Sequence, residues 1–275
     1  MELRVAVVYD GGLADTNLLS AYDAGISLAG FARAFAITGH ALLYQGVPRR
    51  RAARVQGVEV LIAPSRPGSF EQELRVILSD PILALGVNMV ASVATAALWD
   101  LVKWSWSAAV DKAAEPETDY LKDLINRKEP YLGQLPGALE SSLRSAHRPI
   151  EGDSDVEIFV MNPDDPLGYA EVAHFDTETL DFISSKARDD DPVIVHGNVT
   201  RYNILSGIGR FYSQEDGKTV SFRLSPTLPD IQKPFITWSL DERARNRPGL
   251  LMLKVVRFVN GRGETKRYQI EAIQN

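Results

Sequence analysis

Apolar residues recur along the first 80 residues in two kinds of pattern, which predict strands and one long helix. Residues 3–9 form a short apolar, β-branched run that ends at Asp-Gly-Gly, which is typical of a strand followed by a turn. From about residue 20 to 45, apolar side chains recur at helical spacing. Two further strands are predicted near 56–63 and 70–78, joined by a Pro-Gly turn. The pattern therefore indicates a small sheet with a long helix packed on it.

The most apolar segment, residues 81–99, has no formal charge and begins a predicted helix that extends to about residue 110. Polar and apolar residues fall on opposite sides at helical spacing, which favours a helix buried against the sheet. Small residues at every fourth position are also typical of an oligomerisation face. Because about 20 apolar residues span a bilayer, a membrane-inserting helix over 81–104 is the third interpretation. The candidate oligomerisation face consists of Ala84, Asn88, Ser92 and Ala96.

The C-terminal part contains five strand candidates with a helical stretch, 239–246, between the third and the fourth. Five strands with a helix at that place are typical of an OB-type barrel, although an SH3-like barrel also has five strands. The sequence predicts a small five-stranded barrel and leaves its topology open. The strand candidates are 192–202, 208–213, 219–224, 250–259 and 265–273.

Charge divides the chain into three parts. Residues 1–150 have a net charge of −1, residues 151–191 of −11 and residues 192–275 of +6. Such asymmetry is more informative than the total of −6. The predicted fold class is thus α+β: a domain over 1–150, an acidic connecting segment with one strand over 151–191, and a barrel over 192–275. The basic barrel could also dock on the acidic segment of its own chain.

Composition and motifs exclude several kinds of chemistry. Cysteine is absent, so disulfides, thiolate metal sites and cysteine nucleophiles are excluded, which fits a reducing cytoplasm. The N-terminus lacks the pattern of a signal peptide. The phosphate-binding, dinucleotide-binding, serine-hydrolase and zinc-protease motifs are all missing. We therefore predict no catalytic, cofactor-binding or metal-binding residue, and no cofactor.

Basic and aromatic residues interleave on the barrel strands, as in proteins that bind single-stranded nucleic acid. Neighbouring residues on a strand point to opposite faces, so some of the aromatic residues belong to the core. The candidate surface for nucleic acid or another partner is Arg201, Arg210, Tyr212, Arg223, Lys254, Arg257 and Lys266, with Tyr202, Arg267 and Tyr268 nearby in the same pattern.

Three runs resemble a known family: YDAGISLAGFARAFAITGHALLYQG, RPGSFEQELRVIL and ALWDLVKWSWS. The family consists of bacterial and phage-associated proteins in which an N-terminal domain of no assigned function precedes a five-stranded β-barrel. The resemblance covers most of the chain. It implies an architecture and a phage, mobile-element or defence setting, and it provides no catalytic residues.

Three functions are compatible with these patterns. The first is a non-catalytic binding or assembly protein that associates with a protein partner or with itself. The second is a membrane-acting effector that uses the 81–104 helix. The third is single-stranded nucleic-acid binding through the barrel, and an enzyme of unfamiliar type is the least favoured alternative.

Overall fold

The computed structural model describes residues 1–44, 56–64, 70–79, 91–112, 114–128, 132–184, 187–204, 207–259 and 265–274. The chain forms two compact units, Met1–Ile183 and Ser184–Asn275. The first combines helices with a sheet and the second is a closed five-stranded barrel, so the predicted α+β class with a C-terminal barrel is confirmed.

The first unit is built on a five-stranded antiparallel sheet in the order β2-β3-β1-β4-β5. The first strand of the chain is its centre, paired with β3 on one side and β4 on the other. Alternate residues of β1 are buried against the helices, as a half-covered sheet requires. The strands are β1 (Glu2–Asp10), β2 (Val58–Ile62), β3 (Glu71–Leu78), β4 (Glu157–Asn162) and β5 (Ala170–Phe175).

The structure corrects the prediction for residues 151–191. This acidic stretch contains β4, β5 and a helix, and most of it belongs to the first unit rather than connecting two domains. The reason is that Ile158 and Val160 of β4 are fully buried and complete the apolar face of the sheet. The acidic side chain of Glu157 alternates with them and stays exposed.

Six helices in the described part of the first unit accompany this sheet, with short 3-10 turns at Gly12–Thr16 and Leu132–Gln134. The described part of the predicted 81–110 helix begins at residue 91, so Ala84 and Asn88 lie outside the described residues. The helices are α1 (Ala21–Tyr44), α2 (Ala91–Ala109), α3 (Asp119–Lys128), α4 (Leu135–Ala146), α5 (Arg148–Gly152) and α6 (Thr177–Ser184).

Trp106 of α2 is the largest fully buried side chain of the core. Its ring stacks on Phe31 with centroids 6.0 Å apart and lies 4.7 Å from the ring of Phe35, both on α1. A buried aromatic side chain removes about 150–250 Å² from water, so this residue is a main source of hydrophobic stabilisation. The described part of α2 is therefore a core helix.

Helices α1 and α4 approach each other closely at Gly30. A Cβ atom at this position would lie 2.5 Å from the backbone nitrogen of Ala146 and 2.7 Å from the carbonyl oxygen of Ser142. A buried chain of hydrogen bonds joins the same elements to the sheet, because Tyr9 donates to Ser27 over 3.0 Å and Ser27 donates to the Ala146 carbonyl over 2.7 Å. The small residues of α1 therefore serve helix packing.

Among the described residues, α1 is the one helix long and apolar enough to cross a membrane. Its most apolar 18 residues are 67% buried within the protein. This burial is that of a core helix, and Phe31, Phe35 and Leu42 are its main contributors.

The barrel of the second unit closes in the order β6-β7-β8-β10-β9, with β9 paired to β6. Strands β8 and β10 are parallel and the other pairs are antiparallel. This order, with a helix between the third and fourth strands, is that of the OB fold. The elements are β6 (Ala187–Asn203), β7 (Ile208–Ser213), β8 (Lys218–Leu224), α7 (Pro234–Ala244), β9 (Leu251–Val259) and β10 (Thr265–Gln274), with a 3-10 turn at Asp230–Gln232.

Helix α7 is tied to the barrel by Ser239. Its hydroxyl accepts a hydrogen bond from the backbone N–H of Val199 on β6 over 3.1 Å and donates to the carbonyl of Gly249 over 2.6 Å. Ile236, one turn earlier, is fully buried in the barrel core. The helix therefore fixes β6 and the start of β9 with one apolar and one polar anchor.

Candidate nucleic-acid interface

Strand alternation sorts the side chains of the barrel into a core and an outer surface. Phe211 of β7, Phe222 of β8 and Tyr268 of β10 are fully buried and point inward. The residues beside them in sequence therefore point outward. On β7 these are Arg210 and Tyr212.

Three arginines and one serine line up across the outer surface of four neighbouring strands. Arg201 of β6 is the register partner of Arg210 on β7, and Arg210 is the partner of Ser221 on β8. Ser221 in turn is the partner of Arg267 on β10. We call Arg201, Arg210, Ser221 and Arg267 the arginine row. Arg201 is exposed, and Arg210 and Arg267 are half-buried.

The two rows of side chains that flank the arginine row contain different types of residue. Two residues along β7, Tyr212 is 44% exposed and lies between its register partners Asn198 and Thr219. On the other side, Ile208 is the partner of Arg223, which is exposed. A fourth arginine thus extends the basic surface, and a single exposed aromatic ring flanks it.

The structure does not bring all the predicted surface residues together. Lys254 is exposed on β9, where its register partners are Ile194 and Ala272, away from the arginine row. Arg257 is half-buried, also on β9. Lys266 is only 7% exposed and is not a surface residue, because it shares its face of β10 with the fully buried Tyr268 and Ile270.

Two aromatic residues of the pattern belong to the core. Tyr202 is half-buried and its ring stacks on Phe222 with centroids 6.0 Å apart. Tyr268 is fully buried, its hydroxyl donates a hydrogen bond to Asp216 and lies 3.0 Å from the hydroxyl of Ser213, and its pKa is raised by burial. Neither ring is exposed for stacking with a base.

The two acidic residues of the β7–β8 turn are engaged by other groups. Glu215 accepts hydrogen bonds from the backbone N–H of His196 at 2.9 Å and from its Nδ1 at 2.7 Å. Partial burial raises the pKa of Glu215, but these bonds outweigh it and hold the pKa below its usual value. Asp216 accepts from Tyr268 and, at 3.0 Å, from Thr265. Both carboxylates are thus held by partners on β6 and β10 at that turn.

The first unit contains a cluster of charged side chains that the sequence did not reveal. Lys112 donates to the carbonyl of His174 over 3.0 Å and to Asp176 over 3.2 Å, and His174 Nε2 donates to Glu157 over 2.9 Å. Partial burial raises the pKa of Asp176, but bonds from Thr179 and Lys112 outweigh it and lower the pKa below its usual value. The members satisfy one another, so the cluster joins the end of α2 to β4 and β5.

No group of three or more His, Cys, Asp or Glu is arranged to hold a metal ion within the described ranges. Of the candidate oligomerisation face, Ser92 and Ala96 are described, and both are exposed on α2. They lie near Val93, which is 44% exposed.

Comparisons with known proteins concern mainly the first unit. A family model described as Domain of unknown function (DUF7946) matches residues 5–184, which is more than half of the chain. The match ends where the barrel unit begins. No curated protein and no solved structure matches the chain.

Proposed function

The chain belongs to the family Domain of unknown function (DUF7946), and we propose that it is a non-catalytic binding protein whose barrel binds single-stranded nucleic acid. The observation that carries this proposal is the arginine row across β6, β7, β8 and β10. OB-type barrels bind oligonucleotides on the outer surface of their second and third strands, which here are β7 and β8. The OB-type order of the strands supports the proposal. A fold alone does not determine function, so the proposal rests on the arrangement of the arginines.

Charge and exposure support a polyanionic ligand. Residues 192–275 contain 13 Lys and Arg against 7 Asp and Glu. The guanidinium group of arginine forms paired hydrogen bonds with phosphate oxygens. A row of arginines therefore suits a phosphate backbone better than it suits an uncharged protein surface. Tyr212 adds a ring on which a base can stack.

The proposal is tested by fluorescence anisotropy with a fluorescein-labelled oligothymidylate at several salt concentrations. Each phosphate contact contributes a slope of about −0.7 to the plot of log K against log salt, so the three arginines of the row together with Arg223 predict about −2.8. The double substitution Arg201→Gln and Arg210→Gln should weaken binding and reduce the slope by about 1.4. Lys254→Gln is the matched control, because it removes one exposed positive charge elsewhere on the barrel.

Two outcomes would overturn the proposal. One is the lack of saturable binding by the wild-type protein at low salt. The other is the same loss of binding free energy per removed charge in the Lys254→Gln control and in the double variant, which would indicate that only the net charge of the unit matters.

We also propose self-association through α2 as a second, protein-binding role. The exposure of Ser92, Val93 and Ala96 on a helix whose other side is core supports it. Sedimentation velocity of the wild-type protein and of Ala96→Glu tests this role. A wild-type protein that stays monomeric at all concentrations contradicts it. We also propose a cytoplasmic location and a phage, mobile-element or defence setting for this protein.

A further inference from the structure

Two neighbouring rows of side chains on the barrel differ in chemistry, and this difference specifies how a ligand would lie. We infer that a single strand of nucleic acid crosses four β-strands with its phosphates along the arginine row as far as Arg267, and with one base on Tyr212. This inference rests on the proposed function and adds the path of the ligand, its end point and its orientation.

The path follows from the register of the strands. Arg201, Arg210 and Arg267 lie on three different strands and Ser221 lies on the fourth. Neighbouring strands are about 4.8 Å apart, so the row extends over about 14 Å at right angles to the strands. A phosphate backbone that contacts all three arginines must therefore cross the strands rather than run along one of them.

The end point follows from what lies beyond Arg267. The register partner of Arg267 on the next strand, β9, is Phe258, so the arginine row does not continue there. Arg267 points outward because Tyr268 and Ile270, which alternate with it, are fully buried. The last strand of the barrel thus supplies the final phosphate contact, beyond β7 and β8.

The orientation follows from the two flanking rows. Tyr212 lies two residues from Arg210 along β7, which is about 7 Å. The other side of the row has Ile208 and Arg223, which provide no aromatic ring. Because bases project to one side of an ordered phosphate backbone, a base can reach the ring of Tyr212 only when the bases face the end of the barrel that contains the β7–β8 turn.

The test compares two ligands of equal length and charge: a labelled oligothymidylate and a labelled abasic oligonucleotide. Tyr212→Ala should lower the affinity for oligothymidylate roughly 5- to 150-fold, the range that corresponds to one lost stacking contact, and leave the affinity for the abasic ligand unchanged. Tyr212→Phe should restore binding of oligothymidylate. Arg267→Gln should weaken both ligands equally and reduce the salt slope by about 0.7.

Lys254→Gln is again the control, and thermal unfolding shows whether each variant keeps its fold. If the wild-type protein binds neither ligand, the proposed function fails. If it binds, but Arg267→Gln behaves like Lys254→Gln, the row does not extend to β10 and the inference is wrong. If Tyr212→Ala weakens the abasic ligand as much as oligothymidylate, Tyr212 does not contact a base, and the orientation is wrong.

Discussion

The indole Nε1 of Trp106 donates a hydrogen bond to the hydroxyl of Thr38 over 3.0 Å in the centre of the first unit. Both residues are fully buried, on α2 and α1 respectively. The same hydroxyl donates to the carbonyl of Ala34 over 2.9 Å, so one threonine satisfies a buried indole and stays satisfied itself. A buried tryptophan needs a hydrogen-bond acceptor for its indole N–H, and the Thr38 hydroxyl is that acceptor here.

Thr38→Val should therefore destabilise the protein by about 1–3 kcal/mol, because it leaves the Trp106 N–H buried without an acceptor while it keeps the shape of the side chain. Urea unfolding followed by tryptophan fluorescence measures this change. Thr16→Val, at an exposed threonine in the same unit, should stay within about 0.5 kcal/mol of the wild type. Equal stabilities of the two variants would contradict a role for the hydrogen bond.

Two glycines of α1 should respond in opposite directions to the same substitution. Gly30→Ala places a methyl group against the backbone of α4 and should cost about 1–3 kcal/mol through overpacking. Gly25 has no atom within 4 Å of the position of a Cβ, so Gly25→Ala should stabilise the helix by about 0.5–1 kcal/mol. Chemical denaturation of both variants measures the difference. If both substitutions change the free energy of unfolding in the same direction, contact with α4 does not determine the effect.

A buried carboxylate of α2 caps the next helix. Asp100 is 6% exposed and accepts the backbone N–H of Thr118 at 2.7 Å and the Thr118 hydroxyl at 2.6 Å, just before α3 begins. Asp100→Ala removes this cap and should cost about 1–3 kcal/mol. Asp123→Ala, at an exposed aspartate of α3, is the control and should change the unfolding free energy little. Hydrogen exchange of α3 should accelerate in the first variant alone.

Stability should depend on pH through His147. The ring is fully buried, with Nδ1 2.7 Å from the carbonyl of Leu143 and Nε2 3.0 Å from the hydroxyl of Thr179. Burial lowers the pKa of His147 from 6.5 to about 4. The unfolded chain therefore binds a proton first as the pH falls. The contribution of the neutral His147 ring to stability is fully present above pH 6.5. It is lost as the pH falls from 6.5 to about 4, at about 1.4 kcal/mol per pH unit.

Urea denaturation of the wild type and of His147→Gln at several pH values across this window isolates the contribution, since other groups titrate in both proteins. The wild type should lose more stability than the variant as the pH decreases. Parallel curves would show that His147 does not remain neutral in the folded state.

The sequence predicted the barrel better than it predicted its surface. Strand number and the position of the helix are local features, so they predicted a five-stranded barrel and left the choice between an OB-type and an SH3-like order open. Which arginines meet depends on register, and β6 has an irregularity between Val199 and Arg201 that simple alternation does not show. Lys266, by contrast, lies on the buried face of β10 by simple alternation with Tyr268, which the prediction of basic surface residues on strands did not take into account.

In the first unit, the acidic composition of residues 151–191 hid the strand pattern of β5. Residues 170–175 read AEVAHF, and the acidic surroundings led to the prediction of a connecting segment. The burial of Phe175 against Phe31 and Trp106 makes this segment an edge strand of the sheet. No local pattern shows that such a strand pairs with β4, because this pairing depends on the whole sheet.

The central position of β1 has a consequence for the synthesis of this protein on the ribosome. Val7 pairs with Val160, which is translated 153 residues later. At about 5–20 residues per second, β1 waits roughly 8–30 s for that partner. During this interval one edge of an apolar strand can pair only with β3, and the other edge is open to any extended chain nearby. The nascent chain is therefore most vulnerable to misassociation before β4 emerges, and a chaperone that shields apolar strands would act in this interval.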